Sequence, residues 1–141
     1  MTPEQLEQVR SSYASLGSGA AEMAMDFYRR LFAADPSAEA LFSAGPAVMA
    51  GKFAEELDAI VQAISSFEAF APRVRDLAVR HVGYGVQTHH YHAAGEALLG
   101  ALAEHLAPEW DDALEAAWRR AYNLVAEVMM ATAAELGGRR D

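Results

Sequence analysis

Apolar side chains recur every three or four positions along most of this chain, which is the spacing of α-helices with one buried face. The segment from 47 to 64 shows the pattern well, because Lys52, Glu55, Glu56 and Asp58 all lie off its apolar stripe. No segment alternates between apolar and polar residues over the length of a strand. The pattern therefore predicts an all-α protein of six to eight helices. The stripe consists of Met49, Phe53, Leu57, Ile60, Val61 and Ile64.

Capping and turn-forming residues predict where individual helices begin and end. Residues 2–5 (Thr-Pro-Glu-Gln) offer a hydroxyl cap, a proline in the first turn and a glutamine three positions after the cap. A helix that Pro72 begins is expected to end at Gly83, and the last helix is expected to run from Pro108 to a stop at residues 137–138 (Gly-Gly).

Composition narrows the class of protein without identifying a reaction. The 141 residues are enough for one domain, 1–141, and 52% of them are hydrophobic. A formal net charge of −9 argues against nucleic acid or an anionic membrane as partner, since both attract basic proteins. The chain has no cysteine, and its start lacks the features of a secretory leader. We expect a cytoplasmic protein.

Histidines are the main candidates for chemistry in this sequence. Of the five, only His81 lies on an inward-facing apolar stripe, that of Val74 and Leu77. Taken alone, such a histidine is more often a core or capping residue than a metal ligand. The run from 88 to 92 (Thr-His-His-Tyr-His) is interpreted as a hydrated surface cluster, because adjacent side chains diverge around a helix.

Several sequence blocks together resemble the bacterial single-domain globins and the globin domain of flavohaemoglobins. The resemblance covers essentially the whole chain and implies the globin fold, a three-over-three helical sandwich that holds haem b. The blocks are residues 80–86 (Arg-His-Val-Gly-Tyr-Gly-Val), 91–99 (Tyr-His-Ala-Ala-Gly-Glu-Ala-Leu-Leu), 27–32 (Phe-Tyr-Arg-Arg-Leu-Phe), 35–36 (Asp-Pro) with Phe42, and 117–122 (Ala-Trp-Arg-Arg-Ala-Tyr).

The same resemblance implies roles for three residues near the iron. His81 matches the proximal iron ligand, and Phe42 matches the phenylalanine that packs against the haem face. Tyr28 matches the distal tyrosine, whose phenol can donate a hydrogen bond to a ligand on iron. The alternative for Tyr28 is a core tyrosine bonded to a backbone carbonyl.

Met49 and Phe53 are placed on the distal side of the haem. This register leaves 32 residues between the distal position and His81, as in flavohaemoglobins. The alternative register would turn Lys52 and Glu56 inward, which is costly for charges without partners. Met49 then stands where a glutamine or histidine is common, either as an apolar wall residue or as a sixth iron ligand in the absence of gas.

Residues on the proximal side are also inferred from the resemblance. Leu77, Val82 and Val86 match positions that line the haem, and Tyr91 matches a tyrosine near the proximal histidine. The glutamate that accompanies this tyrosine in flavohaemoglobins would fall at Ala133, while Glu135 should point elsewhere. Strong electron donation from the proximal side is therefore not expected. Three basic residues could pair with the haem propionates: Arg73, Arg75 and Arg80.

The resemblance implies a haem protein that binds dioxygen, nitric oxide or carbon monoxide, for transport or storage, as a monomer or homodimer. Nitric oxide dioxygenase activity would need a separate reductase, because no dinucleotide fingerprint is present. Two alternatives stay open at this point: a gas sensor, and a haem-free globin-fold regulatory module that fills its pocket with side chains or a fatty ligand.

Overall fold

The computed structural model describes residues 1–139, and within them the chain forms helices and no strand. Short 3-10 segments at Gly17–Gly19 and Pro36–Leu41 join some of the helices. None of the described helices is both long and apolar enough to span a membrane. The six α-helices are α1 (Pro3–Leu16), α2 (Ala20–Ala34), α3 (Pro46–Ala63), α4 (Phe67–Gly83), α5 (Thr88–Leu106) and α6 (Asp112–Arg139).

The predicted start of α1 is confirmed by the hydrogen bonds between Thr2 and Gln5. The Thr2 hydroxyl oxygen accepts from the backbone N–H of Gln5 at 3.1 Å, and the Thr2 N–H donates to the Gln5 side chain at 3.1 Å. This reciprocal pair is a capping box, which satisfies two backbone N–H donors that a helix start would otherwise leave unpaired. Residues 2–5 thus determine this helix end by themselves.

Three other predicted helix ends were wrong. Helix α4 begins at Phe67, so Pro72 lies inside it, where the ring costs one backbone hydrogen bond but fits the helical φ angle. Helix α6 begins after Asp111, whose side chain accepts from the Leu114 N–H at 2.8 Å, and not at Pro108. The same helix continues through the glycines at 137–138 to Arg139.

The main hydrophobic core forms around α2, which packs against both α3 and α5. Ala24 on α2 and Ala50 on α3 are almost fully buried, and their small side chains allow the two backbones to approach closely. On the other side, α6 reaches α1 through Trp118, whose indole N–H donates to the Ser12 hydroxyl at 2.9 Å. Helix α6 also packs against α5, so contacts with α5 join α2 and α6 into one core.

A second, smaller core joins α4 to α6. Its buried members are Ile60, Phe70, Val74, Ala78 and Met129, and Leu77 and Tyr91 pack on it with partly exposed side chains. This core fixes α4 by the face that carries Val74 and Ala78. Leu77 and His81 are thereby directed along the neighbouring face of the same helix.

We expect Gly95→Ala to lower the free energy of unfolding by about 1–3 kcal/mol, because no space is left for a methyl group there. A Cβ built on Gly95 would lie 2.7 Å from Cε2 of Tyr122. The ring cannot turn away easily, since the Tyr122 hydroxyl donates to the Tyr91 carbonyl at 2.6 Å. Urea denaturation of both proteins measures the difference.

Gly51→Ala is the matched control for this prediction. Gly51 lies inside α3, and a Cβ there would meet no atom within 4 Å. The substitution should leave the free energy of unfolding unchanged or raise it by about 0.5–1 kcal/mol, since alanine is the better helix former. Equal losses in the two variants would show that the Tyr122 contact is not the cause.

Candidate functional site

His81 lies near the end of α4 with its imidazole in a defined orientation. Its Nδ1 is 2.9 Å from the carbonyl oxygen of Leu77, one helical turn back. A carbonyl oxygen only accepts, so Nδ1 carries the proton and Nε2 keeps its lone pair. Burial lowers the pKa of His81 below its ordinary value, which further favours the neutral ring. Such an imidazole, oriented by a backbone carbonyl and presenting Nε2, is suited to bind a metal ion.

The residues predicted to line the proximal side are half-buried apolar side chains in the segments around His81. Leu77, Val82 and Val86 each keep part of their surface exposed, and the Val86 N–H donates to the His81 carbonyl at 3.2 Å. Tyr91 is also half-buried. These surfaces are apolar and only partly covered by the protein.

Ala133 and Glu135 lie in the part of α6 that the resemblance relates to Tyr91. Ala133 is half-buried, and Glu135 is exposed. The expectation of weak electron donation from the proximal side stays a prediction.

Aromatic rings from α2, α3 and the segment after the second 3-10 turn meet in one cluster, which places three of the predicted site residues together. The Tyr28 ring lies 5.2 Å from that of Phe42 and 5.7 Å from that of Phe53, both edge-on. Phe53 stacks on Phe27 at 4.3 Å, and Phe32 contacts Phe42 at 5.6 Å. Edge-on and stacked pairs of this kind stabilise a fixed arrangement of rings.

The Tyr28 hydroxyl differs from those of other tyrosines in the core. Tyr13 donates to the Ala54 carbonyl at 2.7 Å, and Tyr122 donates to the Tyr91 carbonyl at 2.6 Å. Within residues 1–139 the Tyr28 hydroxyl makes no hydrogen bond of this kind. Burial of the side chain raises the pKa of Tyr28 to about 12. The alternative of a core tyrosine bonded to a carbonyl does not describe this residue, whose O–H is available to another acceptor.

Met49 lies beside Tyr28 in a surface groove of about 560 Å³ between α2, the start of α3 and the end of α5. Met49 itself is 8% exposed. The far wall of the groove is polar and includes Asp26, which pairs with the arginines at 29 and 30, and His105, whose Nε2 lies 3.6 Å from Asp26 Oδ2. Tyr28 thus lines this groove together with Met49.

Glu56 was predicted to lie off the buried stripe of α3, and for this residue the prediction was wrong. Lys52, Glu55 and Asp58 are exposed, but the Glu56 side chain is only 25% exposed and lies against α4. The pattern of apolar residues cannot show this, because the ion-pair partners of Glu56 come from another helix.

His90 is 7% exposed, so the prediction of a hydrated surface cluster was wrong for this residue, and His81 is not the sole inward-facing histidine. The other two histidines of the run, at 89 and 92, are exposed as predicted. His90 Nδ1 accepts from the Gln87 N–H at 2.9 Å, and its Nε2 lies 3.1 Å from the Ser37 hydroxyl. His89 pairs with Asp35 at 2.7 Å. Both His90 nitrogens are engaged, so this group ties α5 to the second 3-10 segment.

The residues around His81 and Tyr28 fit an iron porphyrin. A neutral imidazole offers Nε2, and a phenol with no protein partner offers an O–H. Apolar side chains of the segments that carry these two residues keep exposed surface that a flat apolar group would cover. The two sides approach each other at Gly85, whose added Cβ would lie 3.7 Å from Leu41 Cδ2. The half-buried apolar set comprises Phe42, Phe53, Leu57, Leu77, Val82 and Val86.

Comparison with protein families and known sequences supports the same conclusion. A family model described as globin matches residues 25–129. A flavohemoprotein of Deinococcus radiodurans is 32% identical over 100% of this chain and 38% of its own length. A flavohemoprotein of Vibrio cholerae is 28% identical over 92% of this chain and 34% of its own length. The chain thus spans about a third of these relatives. A neuroglobin of Danio rerio is 27% identical over 86% of this chain and 85% of its own.

Solved structures give the same fold. An engineered carbene transferase, derived from a putative nitric oxide dioxygenase of Rhodothermus marinus, superposes with a TM-score of 0.88 at 28% identity, covering 98% of this chain and 96% of its own. A bacterial globin from Campylobacter jejuni superposes with a TM-score of 0.85 at 23% identity, covering 97% and 99%. The predicted all-α globin fold is confirmed by these likenesses.

Proposed function

Since this chain belongs to the globin family, we propose that it binds haem b through His81 and holds a diatomic gas, above all dioxygen, beside Tyr28. The observation that carries the proposal is the His81 imidazole, whose Nδ1 is bound to the Leu77 carbonyl at 2.9 Å so that Nε2 presents its lone pair. Other residues of the chain then determine how firmly a gas is held.

Haem supplies an iron atom that binds diatomic gases reversibly. The protein has three tasks around it. His81 provides the proximal ligand, and the Leu77 carbonyl keeps the imidazole from rotating. Tyr28 donates a hydrogen bond to the gas, because its O–H has no other partner within the described chain. Phe42 and Phe53, packed against the Tyr28 ring, exclude water from the same space.

Gas binding and storage are favoured over sustained conversion of nitric oxide to nitrate. The flavohemoprotein relatives and the nitric oxide dioxygenase relative make turnover a second candidate for this chain. Turnover needs an electron donor and strong electron donation through the proximal side. Tyr91 has no carboxylate partner among the described residues, which supports the binding role.

The proposed function is tested by adding one equivalent of hemin to the purified protein and recording its absorption spectrum. We expect a Soret band that sharpens after reduction with dithionite and shifts on exposure to carbon monoxide, as a five-coordinate or weakly six-coordinate iron would show. A sixth ligand from Met49 would give a distinct reduced spectrum before carbon monoxide is added. A protein that leaves the hemin spectrum unchanged would rule the proposal out in favour of a haem-free globin.

A further inference from the structure

Glu56 ties α3 to α4 beside the proposed iron ligand. Its Oε1 lies 3.5 Å from Nη2 of Arg80, and its Oε2 lies 3.8 Å from Nη1 of Arg73. Arg80 directly precedes His81 in the chain, and the Glu56 charge acts on the His81 imidazole. We name Glu56, Arg73 and Arg80 the Glu56 ion-pair cluster. The cluster bridges the two helices that carry the distal and proximal candidates.

The contacts of Glu56 with its two arginines are long, at 3.5 and 3.8 Å. Other ion pairs of this protein are close, with Arg119 2.8 Å from Glu96 and Arg30 3.0 Å from Asp26. Glu56 Oε1 is by contrast shielded from solvent and accepts no hydrogen bond within the described residues. A shielded carboxylate oxygen without a hydrogen bond is unfavourable, so the arginines lose little when they exchange Glu56 for a better acceptor.

Arg73 and Arg80 are placed as a pair of anion anchors. They are seven residues apart, which is about two helical turns, so both guanidinium groups lie on one side of α4. Haem carries two carboxylates on one edge of a flat ring, and a guanidinium binds a carboxylate well in either a one- or a two-point contact. Arg75, the third candidate on α4, is exposed and makes no ion pair among the described residues.

We infer that Arg73 and Arg80 anchor the haem carboxylates, and that Glu56 is a built-in competitor which occupies both arginines until haem enters. This inference rests on the proposed function, since it names the residues that hold the cofactor's charged edge. Glu56 then has opposite effects in the haem-free and the haem-bound protein. In the haem-free form Glu56 braces α3 against α4, and in the haem-bound form it competes with the cofactor and repels its carboxylates.

The test compares haem-loaded wild type with Glu56→Gln, which keeps the size of the side chain and removes its charge. Haem loss is followed by the decay of the Soret band when excess haem-free acceptor globin is added. We expect Glu56→Gln to slow haem loss by about three-fold or more, within the range of exposed and partly exposed ion pairs. The haem-free variant should unfold at a lower temperature than haem-free wild type.

Asp76→Asn is the matched control. Asp76 also pairs with Arg80, at 3.7 Å, but its side chain is 76% exposed and belongs to α4 itself, so it does not bridge the two helices. We expect its rate of haem loss to stay within about 1.5-fold of wild type. The double variant Arg73→Gln, Arg80→Gln should lose haem faster than wild type. Adding Glu56→Gln to this double variant should not change the rate of haem loss further.

The possible outcomes separate this inference from the proposed function. Unchanged or faster haem loss in Glu56→Gln would overturn the inference and leave Glu56 as a structural brace alone. An effect of Glu56→Gln that persists without the two arginines would overturn their role as anchors. Wild-type protein that develops no Soret band would overturn the proposed function as well, whereas a normal band with unchanged rates overturns only the competition.

Discussion

Replacing His81 by alanine should abolish the Soret band that added hemin produces in the wild-type protein, or weaken it to the level of hemin bound without a protein ligand. The reason is geometric: His81 combines a buried setting with a free Nε2, whereas both nitrogens of the more deeply buried His90 are engaged with Gln87 and Ser37. Absorption spectra at equal hemin and protein concentrations measure the loss.

His92→Ala is the control for this experiment, because His92 lies on the exposed side of α5. Its spectrum should match that of wild type. Free imidazole added to His81→Ala should restore part of the band, since the substitution leaves a cavity where the ring was. A full Soret band in His81→Ala, without added imidazole, would show that another residue binds the iron.

Replacing Tyr28 by phenylalanine should speed the release of dioxygen by about ten-fold or more. The hydroxyl is the donor that the structure leaves without a protein partner beside the aromatic cluster, and losing a hydrogen bond to a partly charged acceptor costs about 1.5–3 kcal/mol. Stopped-flow displacement of dioxygen by carbon monoxide gives the release rate of each protein.

Tyr13→Phe separates this role from a general effect of removing a phenol. Tyr13 donates to the Ala54 carbonyl at 2.7 Å, so its loss should lower the free energy of unfolding by about 0.5–1.5 kcal/mol without altering dioxygen release. Tyr28→Phe should show the reverse, with faster release and unchanged stability. Identical release rates in Tyr28→Phe and wild type would refute the hydrogen bond to the gas.

The predicted helices were confirmed where local chemistry alone decides them. The Thr2 capping box and the stripe of α3 follow from neighbours within one or two turns, and such short-range signals are read directly from residue order. Pro72 was misjudged because the packing of Phe70 and Val74 against α6 outweighs the single backbone hydrogen bond that a proline removes.

The candidate site was only partly accessible to sequence reasoning. Resemblance to globins singled out His81, Tyr28 and Phe42, and the structure shows Tyr28 and Phe42 in contact and His81 oriented by Leu77, while their roles stay predictions. Burial of His90 and the bridging position of Glu56 gave no sequence signal. The Ser37 hydroxyl that contacts His90 is 53 residues away along the chain, and Arg73 is 17 residues away from Glu56.

Residue order by itself determined that this chain is helical and where most helices lie, because helical periodicity and capping act over a few residues. Tertiary structure alone decided which polar groups have partners: Tyr28 lacks a carbonyl that Tyr13 and Tyr122 each find, and Glu56 meets two arginines of α4. Hydrogen bonds and ion pairs between helices depend on how the helices cross, and that crossing is set by the packing of the whole core.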